Sequence, residues 1–322
     1  MQSPIEPGIF LPTLELWLDS RRVKAEGYIS HAHSDHLASH HHVLATAETI
    51  ALAAQRMKIK QAQPLRFGEP LERDDYTLTL FPAGHCLGAA QVAIDVHATG
   101  ERIVYTGDLH LGQDLFGQPA QPLPCDTLII DATFGHPDYV FPTRASVVSQ
   151  LCEWVIDTFN EGAVPVVLAY SLGKGQEALH ILLDAGFDVQ VDESTYAMSA
   201  VYLQMGARFP GKLIRWRGRR EEGTVVLMPP HVRRRSETFA LTPYRTVLLS
   251  GWAVDPSCKY RMRVDEALPL SDHCDWNQLN AYVEQAKPKR VFTMFGPQQF
   301  SAHLRDRGFD AWPLEARQPA LF

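Results

Sequence analysis

The chain has 322 residues, 45% hydrophobic and 21% charged, which suits one large or two modest folded domains and excludes a low-complexity polymer. Its formal net charge of -7 argues against a protein that coats nucleic acid indiscriminately, while leaving room for a local basic groove. There is no uninterrupted apolar run of about 18 residues, and the acidic opening MQSPIEPGIFLPTLELWLDS lacks a signal-like charged and apolar stretch, so no membrane association and a cytoplasmic location are expected.

Short β-rich runs come first: LELWL at 14–18, YTLTLF at 76–81, QVAIDV at 91–96, RIVYTGD at 102–108 and TLIID at 127–131. Between the first two, AETIALAAQRMK is predicted to be a helix from its alanine, leucine and methionine content. From about residue 144 the period lengthens. RASVVSQLCEWVIDTFNEG reads as an amphipathic helix stopped by Gly162, and AVPVVLAY as a strand. Helices KGQEALHILLDAG and TYAMSAVYLQMG then alternate with strands FDVQV, GTVVLM and RTVLLSGW, the pattern of a small α/β unit. The tail returns to helix DWNQLNAYVEQAK, strand KRVFTMFG and helix PQQFSAHLRDRG. Cys86, Cys125, Cys152, Cys258 and Cys274 are odd in number and form no CxxC pair, so reduced thiols are expected.

HAHSDH at 31–36 places three histidines and an aspartate in six positions. Packing alone does not explain four such polar groups together, whereas metal binding does. If the strand GYIS runs on into them, His31 and His33 share one side, and Asp35 and His36 fall where a turn opens a helix. Two ligand sets side by side suggest two metals sharing a carboxylate. Further ligand types follow at strand ends, His85 in PAGHCLGAAQ and Asp108 in YTGDL, where small residues permit close backbone approach. HHH at 40–42 has no carboxylate pattern and reads as surface histidine.

HxHxDH after a strand, then a GH, then a TGD, with Asp19 upstream in LWLDS, resemble the metallo-β-lactamase-fold pattern. The resemblance implies that His31, His33 and His85 hold one metal, that Asp35 and His36 hold a second, and that Asp108 bridges, while Asp19 supports the loop without ligating. LIIDATFG with Asp131, and LSDHCDW with His273, resemble added motifs of the β-CASP branch, which contains nucleases of DNA and RNA. YSLGKGQEAL and LLSGWA extend the likeness over essentially the whole chain, towards bacterial ligase-associated DNA exonucleases and Artemis-type nucleases. In the last motif, TMFG carries Phe295 where many β-CASP enzymes carry a histidine. The resemblance thus implies two divalent metals, zinc or manganese, the second site being weakened by Phe295.

The fold this implies is α/β: a four-layer αββα metallo-β-lactamase sandwich from residues 1–135 and 270–322, with an inserted α/β β-CASP domain at 136–269. The implied function is metal-dependent phosphodiester hydrolysis, most simply a DNA exonuclease in repair that acts with a DNA ligase and a helicase. An RNA-processing nuclease, a non-catalytic nucleic-acid-binding paralogue and a hydrolase of small esters are the alternatives. Within the nuclease reading Asp35 orients the attacking water or takes its proton, and His273, steadied by Asp131, protonates the leaving oxygen, the alternative being that His273 and Asp131 only support the site from behind. SLGKG, between a strand and a helix, suggests phosphate held by Ser171, Gly173 and Lys174, the alternative being an ordinary turn. RWRGRR at 215–220 and RRR at 233–235 suggest a nucleic-acid groove with Arg215 and Arg217 on phosphate and Trp216 available for stacking, the alternative being a solvated charged face.

Overall fold

The computed structural model describes residues 8–112, 115–116, 118–219, 221–234 and 241–314. The chain divides into two units, Met1–Pro137 with His273–Phe322 and Asp138–Asp272. Among the described residues no helix is long and apolar enough to cross a membrane.

The first unit holds two mixed sheets. Strands β1 (Ile9–Leu11), β2 (Leu16–Leu18), β3 (Glu26–Tyr28), β4 (His42–Ala45) and β5 (Gln61–Pro64) form one in sequence order, antiparallel only between β1 and β2. The other contains β6 (Pro70–Glu72), β7 (Tyr76–Pro82), β8 (Ala90–Val96), β9 (Arg102–Tyr105), β10 (Thr127–Asp131), β17 (Arg290–Met294) and β18 (Asp310–Pro313), in the order β18-β17-β10-β9-β8-β7-β6. Alternation in YTLTLF points Tyr76, Leu78 and Leu80 into a core shared with Ile9, Leu18, Tyr28 and Leu44 of the first sheet. TLIID of β10 is buried on both faces: Ile129 joins that core, while Leu128 and Ile130 meet Leu279, Tyr282 and Phe300 from helices Trp276–Ala286 and Gln298–Asp306. On the first sheet, Ile29, Val43 and Ala45 instead pack with Ile50 of α1 (Ala47–Ala53).

This topology gathers loop chemistry at one edge. β9, β10 and β17 are mutually parallel, and β7 runs in the same direction because it is separated from β9 by the antiparallel β8. Their C-terminal ends therefore lie together and deliver His85, Asp108, Asp131 and Phe295. In the other sheet, parallel β2 and β3 lead into Asp19 and HAHSDH. Ligand sites favour such strand ends because the backbone there is released from the ladder.

The second unit is built on an all-parallel sheet of β11 (Val164–Leu168), β12 (Val189–Val191), β13 (Ile214–Arg215), β14 (Val225–Met228), β15 (Tyr244–Leu249) and β16 (Glu266–Leu268), ordered β13-β12-β14-β11-β15-β16. Val167, Val191, Leu227 and Leu249 on one face pack with residues of α2 (Arg144–Asn160) and α3 (Lys174–Asp184), and α4 (Glu193–Gln204) follows β12. The opposite face carries Val166, Met228 and Leu248.

Several expectations change. β3 ends at Tyr28, and HAHSDH is loop: His36 N–H bonds His33 C=O at 3.1 Å, a tight turn with no helix after it. The helix AETIALAAQRMK stops at Ala53. His40 is fully buried rather than at the surface, its Nδ1 accepting from Lys24 N–H at 3.1 Å, and half-buried His42 pairs with Glu26. Of the three, only His41 is exposed.

Candidate metal centre

Four side-chain atoms from three separate loops converge. His33 Nδ1 lies 3.0 Å from both His31 Nε2 and His85 Nε2, while Asp108 Oδ2 lies 3.4 Å from His31 Nε2 and 3.6 Å from His85 Nε2. One imidazole nitrogen cannot satisfy two others by sharing a proton, so three nitrogens aimed at a common point suit a cation. Ligands about 2.0–2.1 Å from a tetrahedral zinc stand about 3.3 Å apart. The observed separations bracket that value, so these residues fit a metal ion.

A second group adjoins it through the other oxygen of the same carboxylate. His36 Nε2 is 3.5 Å from Asp108 Oδ1 and 3.9 Å from Asp35 Oδ2. Asp35 stands apart from the buried set, its side chain 64% exposed. His273 Nε2 also faces Asp108 Oδ2, at 3.8 Å, and its ring lies 4.6 Å from that of His85.

The outward nitrogens of these rings are held from behind. His36 Nδ1 is 2.7 Å from Asp19 Oδ2, His273 Nδ1 is 2.8 Å from Asp131 Oδ2, and His31 Nδ1 is 3.0 Å from Ser30 Oγ. This arrangement fixes which nitrogen of each ring turns inward. Asp19 is itself fixed: it accepts from Ser30 N–H at 2.7 Å and Tyr105 O–H at 2.7 Å, in a left-handed backbone at φ 46°. Asp131 accepts from Thr133 N–H at 2.8 Å and Thr133 O–H at 2.6 Å. Ser30, Tyr105 and Thr133 were missed in the sequence. Each carried a signal, since Ser30 precedes HAHSDH, Tyr105 opens YTGDL and Thr133 lies within LIIDATFG, but the pairing of Tyr105 with Asp19 spans 86 positions.

Burial and neighbouring charge tune the group. Burial, and then the fields of His36, His85, His33 and His273, push His31 well below the ordinary histidine value, which keeps it neutral as a ligand must be. Burial opposes charge on His36 too, but Asp108 and Asp19 outweigh it and lift it to about 10. Asp108 rises to about 7 through burial, against the attraction of His36 and His273. For Asp131, burial is outweighed by His273 and the Thr133 hydrogen bonds, which hold it below the usual carboxylate range.

The residues predicted to grip substrate are placed differently. Lys174 is buried, its Nζ 2.7 Å from Asp272 Oδ1. Gly173 N–H bonds Gln176 Oε1 at 2.9 Å, Gly175 N–H bonds Tyr170 C=O at 2.8 Å, and Gln176 also donates to Ser171 C=O at 3.0 Å. The Gly173 and Gly175 N–H groups thus bond within the turn itself, and the Lys174 ammonium meets a carboxylate. Trp216 is buried in the sheet core, not available for stacking. Arg215 pairs with Glu193, and Arg217 is exposed. Arg233 donates to the Met262 and Arg263 carbonyls; Arg220, Arg235 and the Arg234 side chain lie outside the described residues.

No family model matches the chain. A protein of Opitutus terrae called "Probable DNA ligase" is 36% identical over 316 residues, 95% of this chain and 30% of its own length. The chain belongs to the β-CASP metallo-β-lactamase family. A second β-CASP relative, the DNA cross-link repair 1A protein of Gallus gallus, is 23% identical over 264 residues, 73% of this chain and 26% of its own. The chain therefore spans less than a third of either relative. A solved structure, a protein of unknown function from Enterococcus faecalis V583, shares the fold at a TM-score of 0.58 with 14% identity, covering 84% of this chain and 75% of that one. β-CASP proteins form a nucleic-acid-processing family, and the buried His/Asp cluster here is capable of holding metal ions.

Proposed function

We propose that this chain is a metal-dependent phosphodiesterase that shortens DNA from an end during repair. The observation that carries the reading is the convergence of His31, His33, His85 and Asp108, with His36 beside them on the second oxygen of Asp108. The names of the two relatives support DNA as the substrate, and the ligase name supports a ligase as partner; a helicase that frees the end is a partner the family resemblance alone implies. The core shared by two sheets, with helices packed on the far side of each, supports a four-layer αββα sandwich, and the Asp138–Asp272 unit is then the β-CASP insertion.

Divalent metal, zinc or manganese, would be held by His31, His33 and His85 on one side of Asp108 and by His36 and Asp35 on the other, and supplies an acidified water and charge to offset the phosphate oxygens. Asp35, exposed at the rim, orients the attacking water. His273 presents Nε2 inward while Asp131 holds Nδ1, so it can pass a proton to the leaving oxygen. The 3.8 Å approach of that Nε2 to Asp108 favours a second role, as a ligand in place of the histidine that Phe295 replaces. His273→Ala separates the two. An acid leaves metal content intact and loses one limb of the pH profile, whereas a ligand loses bound metal.

The test is cleavage of single-stranded DNA and RNA, labelled at either end, by purified protein with zinc or manganese, beside His31→Ala. Metal-dependent shortening of DNA that the variant lacks is the expected result. Shortening of RNA alone would reassign the substrate, and binding without cleavage would leave a nucleic-acid-binding paralogue.

A further inference from the structure

Phe295 follows directly on β17 and takes a left-handed backbone, φ 59°. A bulky L-residue rarely adopts that conformation, while glycine or asparagine does so with little strain. The next position admits no side chain: a Cβ on Gly296 would stand 1.7 Å from the Ala132 carbonyl oxygen. Burial does not account for the phenyl group. At 55% it is the most exposed large hydrophobic among the described residues of its unit, ahead of Val23 at 53% and Phe67 at 41%. Nor can it ligate.

Its position is specific nonetheless. The ring meets that of His36 at a centroid distance of 5.4 Å and an angle of 62°, and His36 Nε2 is 3.5 Å from Asp108 Oδ1. An aromatic surface thus stands open to solvent beside the Asp108 cluster, braced on one side by a cluster residue.

We propose that Phe295 is a stacking platform for an unpaired nucleobase of the substrate, which it holds while the adjoining phosphodiester enters the cluster. The proposal rests on the nucleic-acid reading above and deepens it by naming the class of substrate. Every base offers a π-face, so such a platform grips without sequence preference. A base inside a duplex has both faces covered by its neighbours, so the platform selects single-stranded or frayed ends.

The test compares wild type with Phe295→Leu, Phe295→Ala, Phe295→Tyr and Phe295→Trp on single-stranded DNA that is intact or abasic at each position in turn. Terminal 2-aminopurine fluorescence reports stacking on binding in EDTA, and KM and kcat are measured with metal. Leu and Ala are expected to weaken binding and raise KM by roughly five- to a hundred-fold, with kcat little changed and bound metal unaltered. Tyr and Trp restore both, and an abasic site at one position abolishes the difference between wild type and Leu. Equal KM for wild type and Leu, a penalty that survives at every abasic position, or loss of bound metal in Leu overturns the platform while leaving the nuclease standing. A wild type that neither binds nor cleaves nucleic acid overturns both.

Discussion

At the scale of single residues, the cluster is a set of inward-facing nitrogens whose outward partners do the aiming. Tyr105 O–H to Asp19, at 2.7 Å, belongs to this aiming although it is remote from HAHSDH in sequence. Tyr105→Phe removes the donor with almost no change of shape and is expected to weaken metal affinity by about tenfold. His33→Ala, which removes the nitrogen facing both His31 and His85, is expected to abolish binding at that site while the chain stays folded; metal titration with circular dichroism checks both. His36 gives a pH dependence. Lifted to about 10 by Asp108 and Asp19 against its burial, it carries a proton in the metal-free protein at neutral pH that an incoming metal must displace. Apparent metal affinity should therefore rise with pH, by up to about tenfold per unit for one proton, as pH approaches that value. Without metal the sign reverses: the charged His36 contributes stability that is full below its ordinary value and lost as pH rises through about 10. Calorimetry in buffers of different ionisation enthalpy would detect the released proton, and pH-independent affinity would refute the assignment.

At the scale of elements, two tight contacts decide whether strands and turns reach their places. Gly296 lies against the Ala132 carbonyl where β17 and β10 end, and no flexible side chain can yield there. Gly296→Ala is expected to destabilise its unit by about 1–3 kcal/mol or more, read as a fall in melting temperature. In the other unit, the Lys174–Asp272 pair is buried on both sides. Lys174→Met removes the cation that faces the buried Asp272 carboxylate and should lower stability by about 3–5 kcal/mol, whereas Lys174→Met with Asp272→Leu should recover most of it. Urea titration of the three proteins checks this. Were Lys174 a solvent-facing phosphate ligand, the single change would barely alter stability.

At the scale of the whole molecule, the Asp138–Asp272 unit is one continuous segment with sheet, helices and core of its own. Expressed alone, it is expected to unfold cooperatively; a non-cooperative transition would show that it borrows stability from elsewhere. The other unit is discontinuous, since β17 and β18 from the end of the chain complete the sheet begun by β6–β10. The thiols add a test over the full chain. Burial raises Cys152 and Cys258, takes Cys274 well above the ordinary thiol value, and with the help of Asp126 takes Cys125 to about 12. Alkylation of these four at pH 8 should be slow in the native protein and complete after denaturation, as mass spectrometry would read.

What the amino-acid order determined by itself was whatever depends on near neighbours. The periods of α2 and β7 were legible because one face of each buries a continuous apolar set, and β10 because its short run is buried throughout. HAHSDH was legible because four ligand-type groups in six positions have no other economical use, and the order of the motifs carried the family resemblance. Two- to four-residue strands such as β5, β13 and β16 were not, because so short a segment owes its form to the neighbour it pairs with. Only the tertiary structure decided which side chains face one another. It brought His273 to Asp131 across 142 positions, buried Trp216 and His40, set Lys174 against Asp272, and left Phe295 open beside His36. Composition and spacing tell what a residue can bond to, but burial and direction arise where distant strand ends meet, and these settle which of those bonds is made.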